Sequence, residues 1–594
     1  MTMTVAMLAV GLGCVTAVAT QPASAQHPGV KQSRDWKALP GTGLDVVGNA
    51  REGDLRRARR EITAFRAALA SLMPGIRLSA PEPTTLVVFK DHPSFTEFAP
   101  RDGKHRRQLN VGGYFSKSAD RNYLVLPVHA NRRTTSETAL HEYTHFVISR
   151  NFRDVPLWLN EGLAEFYSTF EVNDQGHAIV GKAPSSRIDT LRSDRMPPLR
   201  HLLSGATIPR NFRSSDTAMF YAQSWLFVHY MTLADGGKRQ GQIVKYLQLL
   251  PTTTSAEAAA REAFGTTLEA LEHDVIRYSE RDQFPALGLA GAASEAQPQE
   301  TAAMNEADVA ELKGRLLVEL GVAREAAPYV ERALALDPSH RAGQITQGRL
   351  LVLEERETEA LAILVKVAQE DPGSFAAQYY LGSALYNGGR YQDAIVALDR
   401  ALKISPKAAS AWFAVALATM ALRQYDQSDS AMAQVQELYS AADWHYARAH
   451  EALRLGRYDA ALPEATTFIE RAGVGDDSAP YAAFIGVIAA RRLGLVERAE
   501  ALLTRTASVL LPRSWPLTVV QFMQGRLNAT EFLRKAQDNG QRTEANTYLG
   551  MHLAQIGQND EAIKHLTWVK EKGERHYTEY ALAIAELKRL QSGQ

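Results

Sequence analysis

"AAQYYLGSALYNGGRYQDAIVALDRALKISP", residues 376–406, decides how the second half of this chain folds. Gly382 and Ala394 are small enough to let two antiparallel helices approach, larger residues such as Leu381 and Leu398 fill between them, and Pro406 ends the second helix. The pattern recurs outward from this stretch. Pro338, Pro372 and Pro406 lie 34 residues apart, as do Ala326, Ala360 and Ala394, and Ala333, Val367 and Ala401. Trp412 and Tyr425 carry the period further, and "NTYLGMHLAQIGQNDEAIKHL" (546–566) fits it again, whereas 441–545 is degenerate. The expectation is about seven or eight helix pairs over 305–590, with stability close to a nearest-neighbour sum.

Small residues, large residues and proline at these places of a 34-residue period resemble the tetratricopeptide (TPR) repeat family, most specifically near 375–406. The resemblance implies an all-α superhelix whose groove holds a protein partner.

The first half reads differently. Between Trp36 and Phe284, "TTLVVFK" (84–90) is β-rich, and "NVGGYF" (110–115) with "NYLVLPV" (122–128) predicts a hairpin around a polar turn. Helical periodicity covers 51–73, 134–150, 156–170, 216–234, 240–249 and 255–279. Strands followed by helices predict an α+β domain over 36–283. Residues 284–304, rich in Ala, Gly, Pro and Gln, read as a linker, and the repeats as a second domain over 305–590.

With 594 residues, the chain exceeds what one core usually supports. Its formal net charge of zero argues against a general nucleic-acid binder. Residues 27–283 hold 34 Lys/Arg against 28 Asp/Glu, and 284–594 hold 32 against 38. The plain reading of that asymmetry is two solvated surfaces, ahead of halves that attract each other or choose different partners. The clusters 101–107 and Arg56, Arg57, Arg59 and Arg60 lack interleaved aromatics and read as solvated faces, while His129 and His201 stand alone. No phosphate loop, dinucleotide fingerprint or nucleophile elbow is present.

At the N-terminus, the apolar run Val5–Ala19 ends in Ala23-Ser24-Ala25 and predicts a signal peptide over 1–25, hence a periplasmic or secreted protein. No Lys or Arg precedes the run, which departs from the usual pattern. Gly11 stands where a lipoprotein signal carries an aliphatic residue, so anchoring through Cys14 is disfavoured. Cleavage leaves no cysteine, and any metal site must then use His and carboxylate ligands. No later segment is long and apolar enough to cross a bilayer.

"TALHEYTHFVISRNFRDVPLWLNEGLAEFYSTF" (138–170) places two histidines and three glutamates on otherwise apolar helices. His141 and His145, four apart, share a helix face about 5–6 Å apart at Cβ and can take two corners of a zinc tetrahedron. Glu142 can reach a water on that metal and act as general base. Glu161 supplies a third, oxygen ligand and leaves one position open, as in catalytic zinc. Glu165, one turn further on, can accept the other ring N–H of a ligand histidine. A metal would compensate the burial of these groups.

"HEYTH" followed by "NEGLAE" resembles the gluzincin branch of zinc metallopeptidases. With "MFYAQSWLFVHYM" (219–231) it resembles the peptidase-MA-like domains of exported bacterial proteins, over about 80–283. The resemblance implies a zincin-like α+β domain with one Zn2+ on His141, His145 and Glu161, and Glu142 as base. A tyrosine on a downstream helix supplies the oxyanion donor in related enzymes, which points to Tyr221, with His229 second. Substrate peptide would add as a strand along 112–115, where glycines permit close approach.

Three functions follow: a zinc peptidase whose repeats bind a partner or present substrate; a repeat-based binding scaffold with a degenerate or structural zinc domain; and a zinc hydrolase acting on a non-protein amide. The segment from Val172 to Arg213 either covers the cleft or packs beside it.

Overall fold

The structure is a computed structural model. It describes residues 32–592 except 42, 79–81, 102–106, 109–110, 153–154, 174, 204–213, 251–252, 254–255, 290–299, 439–441, 473–475, 477, 511 and 576. The expected signal peptide and Cys14 lie outside the described residues, as does most of the 101–107 cluster. Two compact units divide the described chain, one ending at Ser440 and one beginning at Ala441.

In the first unit, β1 (Gln32–Leu39) and β2 (Leu44–Gly48) lead into α1 (Glu52–Leu72), and β3 (Thr84–Phe89) into the short α2 (His92–Thr96). Then come β4 (Tyr114–Lys117), β5 (Asn122–Pro127), α3 (Arg132–Asn151) and α4 (Leu157–Ser168). Strands β6 (Glu171–Val172) and β7 (Ala178–Val180) precede α5 (Ser185–Ser193), α6 (Leu199–Leu203), α7 (Ser214–Leu233), α8 (Gln240–Leu249), α9 (Ala256–Phe264) and α10 (Leu268–Ser279). Strands β8 (Leu287–Leu289) and β9 (Ala302–Asn305) complete the domain. The main sheet runs β4-β5-β3-β2-β1-β9, with β2, β3 and β5 parallel and the remaining pairs antiparallel.

"TTLVVFK" is apolar without alternation because both faces of β3 are buried. Leu86 and Val88, with Leu124 and Leu126 of β5, pack with residues of α1, α3 and α7. Val87, Phe89, Tyr123 and Val125 face the other way and pack against Val309, Leu312, Leu316 and Val330. Those four belong to the first repeat. Central parallel strands need such cover on both sides.

That second layer corrects the expected linker. Within 284–304, Leu287–Leu289 pairs with β7, and β9 pairs antiparallel with β1, Ala38 opposite Ala302. The chain therefore enters the repeats from an edge strand, and the first repeat joins the core of the α/β domain. Three smaller corrections follow. Strands β1 and β2 add to the strands that the sequence predicts. The hairpin strand expected at 110–115 runs over Tyr114–Lys117, with Tyr114 opposite Val125. The helix expected over 255–279 breaks at Gly265, and the Thr267 hydroxyl caps α10 by accepting the Ala270 N–H at 3.2 Å.

The repeat helices of the first unit are α11 (Glu306–Glu319), α12 (Ala323–Leu336), α13 (Arg341–Leu353), α14 (Glu357–Glu370), α15 (Phe375–Asn387), α16 (Tyr391–Ile404), α17 (Ala409–Ala421) and α18 (Tyr425–Leu438). A Cβ on Gly382 would stand 2.7 Å from Leu398 Cγ, the close approach expected between α15 and α16. The second unit continues with helices from α19 (Asp443–Arg454) to α27 (Thr578–Ser592), including the degenerate stretch 441–545. The C-terminal half is thus all-helical. No described helix is long and apolar enough to cross a membrane.

Candidate metal centre

The site is built on α3 and α4. Asn131 caps α3 by accepting the Arg133 N–H at 3.1 Å. The helix buries Ala139, Leu140, Tyr143, Phe146 and Val147 in the core, which turns His141, Glu142 and His145 to the remaining face. Pro156 then starts α4, a position where its missing N–H costs nothing. Trp158 and Leu159 anchor that helix and aim Glu161 and Glu165 back at α3.

Three ligand atoms converge. His141 Nε2 and His145 Nε2 lie 3.1 Å apart, and Glu161 Oε2 lies 3.4 Å from the first and 3.5 Å from the second. A tetrahedron with metal–ligand bonds of about 2.0–2.1 Å has edges of about 3.3 Å, so the triangle fits such an ion. The outer ring nitrogens are held as well. His145 Nδ1 lies 3.0 Å from Asn160 Oδ1, and His141 Nδ1 lies 3.5 Å from Glu165 Oε1. Both contacts favour a tautomer that leaves Nε2 free as a ligand. Glu161 Oε2 is buried, and the two Nε2 atoms at 3.4 and 3.5 Å face it at ion-pair distance without well-formed hydrogen-bond geometry.

Electrostatics agree with the geometry. Burial would lower the His145 pKa, but the Glu161 carboxylate outweighs it and pushes it up to about 9. Burial likewise opposes ionisation of Glu161, yet the two imidazoles hold it down at about 2. A cation bound here would take the place of that imidazolium proton. Burial raises the Glu142 carboxyl above the usual range, against the pull of His141 and His145, and it accepts the Phe115 backbone N–H.

Tyr221 enters from α7. A Cβ on Gly162 would stand 2.5 Å from the Ser224 carbonyl oxygen, so only glycine there lets α4 and α7 pack this closely. Burial first, then the charges of Glu161 and Glu165, push the Tyr221 phenol well above its ordinary pKa, so it stays a donor. His229 is different. It is fully buried, its Nε2–H donates to the Gly181 carbonyl at 2.9 Å, and its Nδ1 is 2.9 Å from the Tyr278 hydroxyl. This corrects the alternative donor: His229 packs the core, enclosed by Phe166, Trp225, Tyr278 and Phe284.

Two residues given no role by sequence stand in the site. Asn160 directly precedes Glu161, and its position was legible. Arg187 was not, because it sits in the Val172–Arg213 segment as one arginine among several. On α5 it donates to both Glu165 oxygens, at 2.7 and 2.8 Å, and lies over the Tyr221 ring, 5.3 Å from its centroid. This part of the segment packs beside the site, while 204–213 lies outside the described residues. His129 Nε2 is buried with no hydrogen-bond partner, and its ring packs near His92.

Tetratricopeptide repeat models match residues 351–416, and also 311–375 and 446–508. No curated protein matches the chain. Similar solved structures include MamA AMB-1 (27% identity, 22% of this chain and 72% of that one, TM-score 0.20). Pseudomonas aeruginosa pilF is similar at 16% identity (37% and 98%, TM-score 0.28). A tetratricopeptide repeat protein from Parabacteroides merdae is similar at 15% (48% and 99%, TM-score 0.32). The C-terminal part of the chain carries tetratricopeptide repeats.

Proposed function

We propose that this chain is a zinc-dependent peptidase of gluzincin type, exported by its N-terminal signal, in which His141, His145 and Glu161 would hold one zinc ion. The observation that carries the reading is the triangle of 3.1, 3.4 and 3.5 Å among their ligand atoms. Zinc bound there would act as a Lewis acid and activate water for attack on a peptide carbonyl. The chain's own groups do the rest. Glu142 takes the proton of the attacking water and passes it to the leaving amine. Tyr221 donates to the oxygen that gains charge. Asn160 and Glu165 hold the two imidazoles in orientation, and Arg187 fixes Glu165. Strand β4 is an edge of the sheet, along which a substrate backbone would pair as an added strand, while Gly112 and Gly113 before it pack against Thr138, where a Cβ would stand 3.1 and 3.0 Å from its side chain.

Zinc per chain, measured on the full-length protein beside His145→Ala, tests the ligand set. About one equivalent against little or none is expected. Glu142→Gln should retain zinc and lose peptide hydrolysis by about a thousandfold or more. Turnover retained in that variant would reject the mechanism.

A second reading has its own support: the family-model matches fall only on the repeats. In it the chain is a binding scaffold that engages a protein partner, and the zinc domain is structural. Stoichiometric zinc, no hydrolysis of any peptide library and a stable partner complex would favour the scaffold.

A further inference from the structure

The inner faces of the first three repeats are not open. Glu311 and Arg315 on α11, Thr346 and Arg349 on α13, and Tyr380 on α15 form a continuous polar stripe. Arg315 donates to Glu311 at 2.6 Å, Thr346 donates to Glu311 at 2.7 Å, and Arg349 donates to Glu319 at 2.8 Å while lying 4.3 Å from the Tyr380 ring centroid. Into this stripe projects the turn between β4 and β5. Asp120, its side chain 14% exposed, accepts Arg315 Nη1 at 3.0 Å and the Tyr380 hydroxyl at 2.8 Å. Ser118 Oγ lies 2.9 Å from the same hydroxyl. A nearly buried carboxylate held by a guanidinium and a phenol is a built contact, costly to break from one side only.

The hairpin above that turn borders the candidate metal centre. The Phe115 ring packs on Phe146 of α3, centroids 5.0 Å apart, and its backbone N–H meets Glu142. Lys117 Nζ donates to Ser149 Oγ at 3.0 Å. Strand β4 has a strand neighbour on one side only, so its order rests on β5, on these contacts with α3 and on the turn at its end.

We propose that the repeat face formed by α11, α13 and α15 is a clamp whose ligand is the Ser118–Arg121 turn of the same chain, and that this clamp sets the position of edge strand β4 beside Glu142. These repeats bind inward. Their occupant is an acidic turn of their own α/β domain, and a partner engaging this face must displace Asp120. The effect on hydrolysis rests on the peptidase reading; the clamp itself does not.

The test is hydrogen–deuterium exchange on the full chain without added metal, comparing wild type with Asp120→Asn and with the milder Tyr380→Phe. Amides of Tyr114–Lys117 should exchange about tenfold faster or more in Asp120→Asn, and to a smaller degree in Tyr380→Phe, while β3 amides keep their protection. Unchanged exchange in β4 in both variants overturns the proposal. Equal acceleration in β3 and β4 overturns it too, because the contact would then be general packing. Zinc binding measured on the same samples is a separate readout, so loss of the peptidase reading leaves this result standing.

Discussion

Arg187 grips Glu165 with two parallel hydrogen bonds, Nε to Oε2 at 2.8 Å and Nη2 to Oε1 at 2.7 Å. The same carboxylate lies 3.5 Å from His141 Nδ1, so a residue from α5 reaches a histidine on α3 through one intermediary. Bidentate pairing fixes the plane of the carboxylate, which a single contact would leave free to rotate.

Arg187 is accordingly a positioning residue. Arg187→Gln should weaken zinc binding about 10–100-fold, as loss of an outer hydrogen bond to a ligand does elsewhere. Arg187→Lys, which keeps charge but not the fork, should fall between. Competition with a chelator measures it, and affinities equal to wild type in both variants would count against the role.

Tyr221→Phe removes a hydroxyl and little volume. The expected result is a fall in kcat of about 10²–10³ with zinc content and KM near wild type. A change in KM alone would mean that Tyr221 packs against substrate and donates nothing to the transition state.

Gly162→Ala tests the closeness of α4 and α7. The added methyl would meet the Ser224 carbonyl at 2.5 Å and Val228 Cγ2 at 2.6 Å. Overpacking of this kind costs about 1–3 kcal/mol, to be read from urea unfolding. Catalysis should fall with it, since Tyr221 would move away from Glu161.

His229 predicts an acid limb of stability. Burial holds its pKa down at about 4, whereas the unfolded chain has the ordinary value near 6.5. The unfolded state takes up a proton first as pH falls, so stability complete above about 6.5 is lost progressively toward 4. The full loss is on the order of 3 kcal/mol. Unfolding free energies from pH 7 to 4 should drop more steeply for wild type than for His229→Gln. Parallel curves would show that another group sets the limb.

Much of the candidate site was legible because helical spacing is a local property. A spacing of four from His141 to His145 puts both on one face whatever surrounds them, and the same holds for Glu161 and Glu165. The 34-residue period of Pro338, Pro372 and Pro406 determined the helix pairs for the same reason. Each repeat states its own turn and its own small residues. Composition misled at 284–304. Ala302–Asn305 lacks the apolar alternation that marks a strand, and it pairs with β1 through backbone hydrogen bonds that any residue can make.

Tertiary structure alone decided the rest. The sequence determined which groups share a helix face, since that depends on rotation and rise within a few residues. It did not determine that α5 would bring Arg187 to Glu165, that Gly162 would draw Tyr221 across from Glu161, or that Asp120 would be held by Arg315 and Tyr380. Each of those pairs joins elements far apart in the chain, through contacts of a few ångströms. Such contacts form only where the burial of Val87, Phe89 and Val125 against the first repeat, and of Leu86 and Val88 against the helices, has fixed how the layers stack.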